Sequence, residues 1–334
     1  MTAEAGLRGK KVFVTGADGF IGSHLAERLV REGARVRALG LYNPQGSAGW
    51  LDTISPEVRA EMDVRLGDIR DARFMEDACR DVEVVFHLAA LISIPYSYEA
   101  PASYVETNVT GTLHVLEAAR RVGCRRVIHT STSEVYGTPE TTPITESHPL
   151  RAQSPYAATK IGADQLALSY HRSFETPVVV LRPFNTYGPR QSTRAILPSL
   201  LTQMLRGKRQ IAVGRLDPRR DLTFVGDTVE GFLRAAQAPG IEGETIQLGT
   251  GQAVSMAELF ELCRQCVGID AAPVVQAERV RPDKSEVLVL LSDPARAKAR
   301  LGWQPQVGIA EGLGQTARWL ERNLDRYPGQ RLHV

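Results

Sequence analysis

"VFVTGADGFIGSHLAERL", residues 12–29, joins a short apolar run to an amphipathic helix through three glycines. Gly16, Gly19 and Gly22 fall between strand and helix. A tight turn needs the first glycine, close approach of backbone to a pyrophosphate the second, and helix–strand packing the third. The helix N-terminus adds free N–H groups and a partial positive charge. The plain alternative is a turn of the same shape that holds nothing. The strand before, the helix after and "ARVRAL" as a second strand complete a βαβ unit, which favours a dinucleotide site.

Working outward, "DVRLGD", "DVEVVFHLA", "RRVIHTSTS" and "PVVVLRPFN" read as later strands. Between them lie the helical stretches "RFMEDACR", "TGTLHVLEAARRVG" and "SPYAATKIGADQLALSYHRSF". Alternating β and α with nearly continuous apolar strands predicts an α/β fold, a Rossmann-type doubly wound parallel sheet covered on both faces. After about residue 186 the rhythm breaks into "ILPSLLTQMLRGK", "QIAVG", "LTFVGD", "DTVEGFLRAAQA" and "ETIQLGTG", then two amphipathic helices, "SMAELFELCRQCVG" and "GIAEGLGQTARWLERNL". The expected organisation is a dinucleotide-binding domain over 1–185, with returning segments near 221–249. A smaller mixed α/β substrate-binding lobe occupies mainly 186–330. The tail "DRYPGQRLHV" reads as loose.

The 334 residues suffice for one large or two coupled α/β domains. Forty Lys+Arg against 38 Asp+Glu leave a net charge of +2, without the basic excess of a nucleic-acid binder. "VEVVFHLAALISI" is too short to span a bilayer, and "MTAEAGLRGKK" has no apolar signal region, so a cytoplasmic location is expected. Of the cysteines, Cys79, Cys124, Cys263 and Cys266, the last two could suggest metal or redox chemistry. No second pair exists, and "ELFELCRQCVG" has helical periodicity, so two buried cysteines at i and i+3 and no metal are expected.

The second strand lacks the acid that usually meets the ribose hydroxyls of NAD, since Gly40 stands there in "VRALGLYN". No arginine follows to hold a 2′-phosphate, so NAD is expected with NADP left open. Tyr42 and Asn43 are the nearest polar groups, and Asp68 in "RLGDIRD" suits the adenine end. "SPYAATK" sets Tyr156 and Lys160 four residues apart, on one helix face. A phenol with an ordinary pKa near ~10 needs its anion stabilised to act as a base, and an adjacent ammonium can supply part of that. Alone the pair could be a core tyrosine and a surface lysine; beside a dinucleotide fold it points to chemistry.

Together "TGADGFIG", "HLAA", "TSTSEVYG", "YAATK" and "RPFNTYGPRQ" resemble the extended short-chain dehydrogenase/reductases, the NAD-dependent epimerase/dehydratase family acting on nucleotide sugars. The resemblance continues through "RRDLTFVGD", "RPDKSEV" and "LGWQP". It implies that Tyr156 takes the proton of the sugar 4-hydroxyl as hydride leaves C4. Lys160 holds the nicotinamide ribose and lowers the Tyr156 pKa, and Thr132 hydrogen-bonds the same hydroxyl. Phe20, Ile21, Ile69, Leu88, Ala89 and Ala90 join the glycines around the cofactor. Asn185, Arg194, Arg220 and Arg281 contact the nucleotide sugar, arginine suiting phosphate through its planar fork. Asn108 is expected to tie helix to strand. A homodimer is implied, pairing the helices near 103–121 and 154–174 in a four-helix bundle, for which Leu113, Val115, Leu116, Leu166 and Leu168 offer apolar surface.

The family's branches share a 4-keto intermediate. Epimerases return hydride to C4, dehydratases remove the C5 proton and lose the 6-hydroxyl, and decarboxylases lose a C6 carboxylate. Glu134 suits general acid–base work beside the ring and argues against a simple epimerase. The usual dehydratase triplet is Thr-Asp-Glu, and Ser133 here replaces its acid. Thr-Ser-Glu also occurs in nucleotide-uronate decarboxylases. Flanking stretches, including "LYNPQGSAGWLD", resemble 4,6-dehydratases of the legionaminic-acid type, whose substrates are nucleotide-activated N-acetylglucosamines. Tyr96 in "SIPYSY" is then a sugar-pocket candidate or a packed loop aromatic. A 4,6-dehydratase is expected; a uronate decarboxylase, a 4-epimerase and a non-catalytic scaffold are the alternatives.

Overall fold

In the computed structural model, which describes residues 6–280 and 286–327, thirteen strands are present among the described residues. They are β1 (Lys11–Thr15), β2 (Arg35–Leu41), β3 (Met62–Gly67), β4 (Val84–His87), β5 (Arg126–Thr130), β6 (Val178–Pro183), β7 (Asn185–Tyr187), β8 (Gln210–Val213), β9 (Arg219–Phe224), β10 (Thr245–Leu248), β11 (Ala253–Ser255), β12 (Ala272–Val275) and β13 (Val289–Leu290). Seven form one parallel sheet in the order β10-β6-β5-β4-β1-β2-β3. The doubly wound α/β fold is therefore present. Its strand order reverses between β1 and β4, and ligands of such sheets bind outside the strand carboxyl ends at that switch point. β7, β9, β11 and β13 form a second sheet, and β8 pairs with β12.

Alternation along the central strands divides their side chains between two cores. Val12, Val14, Val84, Phe86, Ile128, Val179 and Leu181 pack on one face with Leu25 and Leu29 of the helix Phe20–Arg31. Phe13, Val85, Val127, Val178 and Val180 pack on the other with Val115, Leu116 and Leu168. Those last three are buried inside the chain, so they are not available to a two-copy bundle; Leu113 and Leu166 are partly buried against the same core. Exposed apolar surface on these helices comes instead from Val105 and Phe174.

The helix over 103–121 is not uniform. An α turn, Pro101–Tyr104, passes into a π segment, Val105–Thr110, and then into α-helix Gly111–Arg121. The π turn aims Asn108 inward. Its Oδ1 accepts from the Leu91 amide at 2.8 Å, while its Nδ2 donates to Leu91 O at 2.9 Å and Thr159 Oγ1 at 3.1 Å. Asn108 therefore ties this segment to the loop after β4 and to the helix Pro155–Phe174.

Two sequence expectations are corrected. Cys263 is buried but Cys266 is exposed, because only the former faces the core. All four thiols are free, and no cluster of potential metal ligands occurs among the described residues. The start of the tail is not loose: Tyr327 is buried, its ring 5.9 Å from both Trp50 and Trp319. Residues 328–334 lie outside the described set. No described helix is long and apolar enough to cross a membrane.

Candidate active site

Gly16 adopts φ +68°, and a Cβ there would lie 2.8 Å from the Ala89 amide nitrogen. A Cβ on Gly22 would lie 2.1 Å from Gly16 O. The first glycine thus lets the loop after β1 touch the loop after β4, and the third lets the helix pack onto that turn. Gly19 is the helix N-cap and supplies no side-chain cap, so the first N–H groups have no cap acceptor there. Phe20 and Ile21 pack half-buried against the core. Leu88, Ala89 and Ala90 are also half-buried. Thr15 Oγ1 accepts from the Leu88 and Ala89 amides, both at 3.1 Å, and meets His87 Nδ1 at 2.8 Å. His87 Nε2 meets Thr112 Oγ1 at 2.9 Å, and burial holds this imidazole neutral, its pKa well below the usual value.

The other cofactor candidates spread outward. Tyr42 is exposed at the end of β2. Asn43 spends its amide on its own loop, donating to Leu41 O at 3.0 Å and Ser47 O at 2.7 Å and accepting from the Ser47 amide at 3.0 Å. Asp68 is held by Arg70 at 2.6 Å, which lowers its pKa chiefly through that hydrogen bond. Ile69 is buried against Gly111.

The helix Pro155–Phe174 begins with Pro155 at N1 and Ser154 as N-cap, whose Oγ accepts from the Ala157 amide at 3.1 Å. This start brings Tyr156 and Lys160 to the carboxyl end of β5. Lys160 Nζ donates to Thr130 O at 2.6 Å. Thr132 hydrogen-bonds the Tyr156 phenol, and its Oγ1 also accepts from the Glu134 amide at 3.2 Å. Ser133 is buried, and Glu134 is half-buried close enough that its charge acts on the phenol. Tyr104 packs edge-on to Tyr156 at 6.3 Å and lies 6.1 Å from Tyr96, making an aromatic wall.

Electrostatically the protein's own groups act against a phenolate. Burial pushes the Tyr156 pKa up, further raised by Glu134, while the Thr132 hydrogen bond pulls it down. Burial also lowers Lys160 to about 8, with Asp164 opposing. The expectation of a phenol lowered by its lysine is therefore not met by these residues alone: desolvation outweighs the favourable contacts.

Sequence reading missed the buried network beneath this pair. Asp164, one turn beyond Lys160, accepts from Ser131 Oγ at 2.6 Å and Arg182 Nη2 at 2.9 Å and meets His129 Nε2 at 3.1 Å. Arg182 Nη1 reaches Tyr136 OH at 3.1 Å, and Tyr136 donates to Gln247 Oε1 at 3.1 Å. The i+4 spacing of Asp164 from Lys160 was the available signal. These bonds fix the helix, β5, β6 and β10 relative to one another.

The substrate candidates are less gathered. Asn185 Oδ1 is buried without a hydrogen-bond partner among the described residues. Arg194 is exposed, near enough to Tyr104 to lower its pKa, although burial raises that phenol overall. Arg220 is buried and donates to Glu286 Oε1 at 2.9 Å. Tyr96 is partly exposed. Arg281 lies outside the described residues.

Comparison with known proteins agrees with this architecture. Residues 13–316 match the family described as GDP-mannose 4,6 dehydratase. The chain is 33% identical to a UDP-glucose 4-epimerase of Mycolicibacterium smegmatis, covering 92% of this chain and 98% of that protein. It is also 33% identical to a dTDP-glucose 4,6-dehydratase of Actinoplanes sp., covering 94% and 98%. The crystal structure of a dTDP-glucose 4,6-dehydratase from Streptomyces venezuelae, solved with NAD bound, superposes with a TM-score of 0.84 at 30% identity, covering 95% and 99%.

Proposed function

The chain belongs to the GDP-mannose 4,6-dehydratase family, and we propose that within it this protein is an NAD-dependent nucleotide-sugar 4,6-dehydratase. NAD is bound in the crystal structure of the similar dehydratase from Streptomyces venezuelae. The Gly16–Gly22 turn, with its uncapped helix start and no room for a Cβ, fits a dinucleotide pyrophosphate. When bound, NAD supplies the hydride acceptor for C4, the hydride later returned to C6, and a positive nicotinamide ring that favours a nearby phenolate.

The residues then divide the proton work. Tyr156 takes the 4-hydroxyl proton, and Thr132, already bonded to that phenol, holds the same hydroxyl. Lys160 donates toward the nicotinamide ribose while anchored on Thr130 O. Glu134 removes the C5 proton, made acidic by the C4 ketone, and returns it to the departing 6-hydroxyl, which leaves as water; once hydride reaches C6, C5 takes up one proton, balancing the one Tyr156 took from the 4-hydroxyl. That return assigns to Glu134 the donor role that Ser133, a poor acid, cannot fill. A carboxylate at the end of β5, close enough to act on Tyr156, is the observation that carries the dehydratase reading. Asn185, whose buried oxygen has no hydrogen-bond partner among the described residues, and Arg194, Arg220 and Arg281 are the substrate contacts of this proposal. The lobe mainly over 186–330 is its substrate-binding unit and an NDP-N-acetylglucosamine its substrate. A homodimer would pair the helices that expose Val105 and Phe174.

A second reading, a 4-epimerase, is favoured by the equally similar epimerase from Mycolicibacterium smegmatis. Incubation with UDP-, GDP-, CDP- and dTDP-sugars followed by mass spectrometry separates the readings. Loss of water supports the dehydratase, unchanged mass with a changed sugar the epimerase, and loss of carbon dioxide a uronate decarboxylase. Glu134→Gln should keep C4 oxidation, read as transient reduced-nicotinamide absorbance, and lose elimination. Full dehydratase turnover by that variant would sink the role given to Glu134.

A further inference from the structure

Gly40 leaves the end of β2 without an acid, yet the space above it is filled. A Cβ on Gly40 would lie 3.1 Å from the Cβ of Asp18 and 3.3 Å from its carboxyl carbon. A Cβ on Gly49 would lie 2.6 Å from Asp18 O and 3.0 Å from its Cβ. Asp18 therefore sits between two glycines, one on β2 and one opening the turn Gly49–Thr53. The Leu41 amide donates to Asp18 Oδ2 at 3.1 Å, and the Trp50 amide donates to Asp18 O at 3.0 Å. These contacts carry a carboxylate from the glycine turn to the place where β2 ends.

We infer that Asp18 replaces the missing β2 acid, accepting hydrogen bonds from the adenosine ribose hydroxyls and excluding a 2′-phosphate. The inference rests on the reading that the glycine turn holds NAD. Asp18 directly precedes Gly19, the N-cap over which the pyrophosphate would lie, so its carboxylate is one residue from the phosphate cradle. A carboxylate accepts and does not donate, which matches two vicinal hydroxyls and repels a phosphate dianion. Burial raises the Asp18 pKa, and the Leu41 bond only partly opposes this. Hydroxyl donors would complete its solvation. The arginines on β2, on β3 and just after β3 are already engaged: Arg37 and Arg65 share Asp63, and Arg70 is held by Asp68 and Glu106. A 2′-phosphate would meet the acid without drawing on an uncommitted partner among these three.

The test is equilibrium binding of NADH and NADPH, followed by reduced-nicotinamide fluorescence on protein stripped of its nucleotide. Wild type should prefer NADH. Asp18→Asn, nearly isosteric, should weaken NADH and narrow the preference by roughly tenfold or more. Asp18→Ala should do the same. The double variant Asp18→Gly/Gly40→Asp should recover the NADH preference, because removing the whole Asp18 side chain, its Cβ included, makes room for a β2 acid; a merely structural Asp18 would not be rescued this way. An unchanged preference in both single variants, with native circular dichroism, overturns the inference. So does a wild type that prefers NADPH. If wild type binds neither nucleotide, the dinucleotide reading itself falls; if it binds NADH and only the variants behave as wild type, the role of Asp18 alone falls.

Discussion

Asp164→Asn removes the charge at the centre of the network beneath Tyr156 and Lys160. Asp164 is fully buried, and burial alone would raise its pKa; His129, Arg182 and Ser131 together hold it at about 2, below its ordinary 3.8. That depression corresponds to about 2 kcal/mol favouring the charged form in the fold. The larger cost falls on Arg182, which is only 3% exposed and would remain charged opposite a neutral amide. Breaking one side of such a buried pair costs roughly 3–5 kcal/mol. We expect a loss of this size at neutral pH, read from urea unfolding as a lower midpoint at constant slope. In an Arg182→Met background the same substitution should cost at least about 1.5 kcal/mol less, because no guanidinium is left unpaired. The acid limb has a fixed sign. A depressed carboxylate pKa stabilises above pH 4 and loses that contribution as pH falls toward 2, so the wild-type advantage should shrink across that window. A neutral-pH loss below about 1 kcal/mol, or no coupling to Arg182, would refute the reasoning.

Other perturbations follow from the same geometry. Gly22→Ala would place a Cβ 2.1 Å from Gly16 O, a backbone atom that cannot swing aside, and should cost about 1–3 kcal/mol and weaken nucleotide binding, checked by thermal melting with and without NAD. Lys160 is held at about 8 against an ordinary 10.5, so burying its charge costs about 3 kcal/mol below pH 8. The unfolded chain binds the extra proton between pH 8 and 10.5, so this penalty fades as pH rises; Lys160→Met should be relatively more stable than wild type at pH 7, with the advantage vanishing by pH 10.5 in parallel unfolding curves. Cys266, exposed where Cys79, Cys124 and Cys263 are buried, should be the one thiol labelled by a maleimide in the native protein, as peptide mapping would read.

The glycine turn, the alternating β and α segments and the Tyr156/Lys160 spacing were legible in the sequence because each depends on neighbours a few residues apart. Periods of two and 3.6 announce strands and helices, and positions i and i+4 share a helix face in any fold. Gly40 was legible too, but only as an absence. What stands in its place was decided by tertiary structure, since Asp18 and Leu41 meet only when the turn after β1 folds beside the end of β2. Asp164 likewise gained its partners from β5 and β6, brought together by parallel pairing. The Tyr156 phenol is raised for the same reason. A spacing of four residues reveals an available ammonium, but the pKa depends on how much water the folded surroundings remove, and here that desolvation dominates. Sequence alone determined which chemical groups were available and which face of an element they share; the fold decided which distant groups meet them, and at what electrostatic cost.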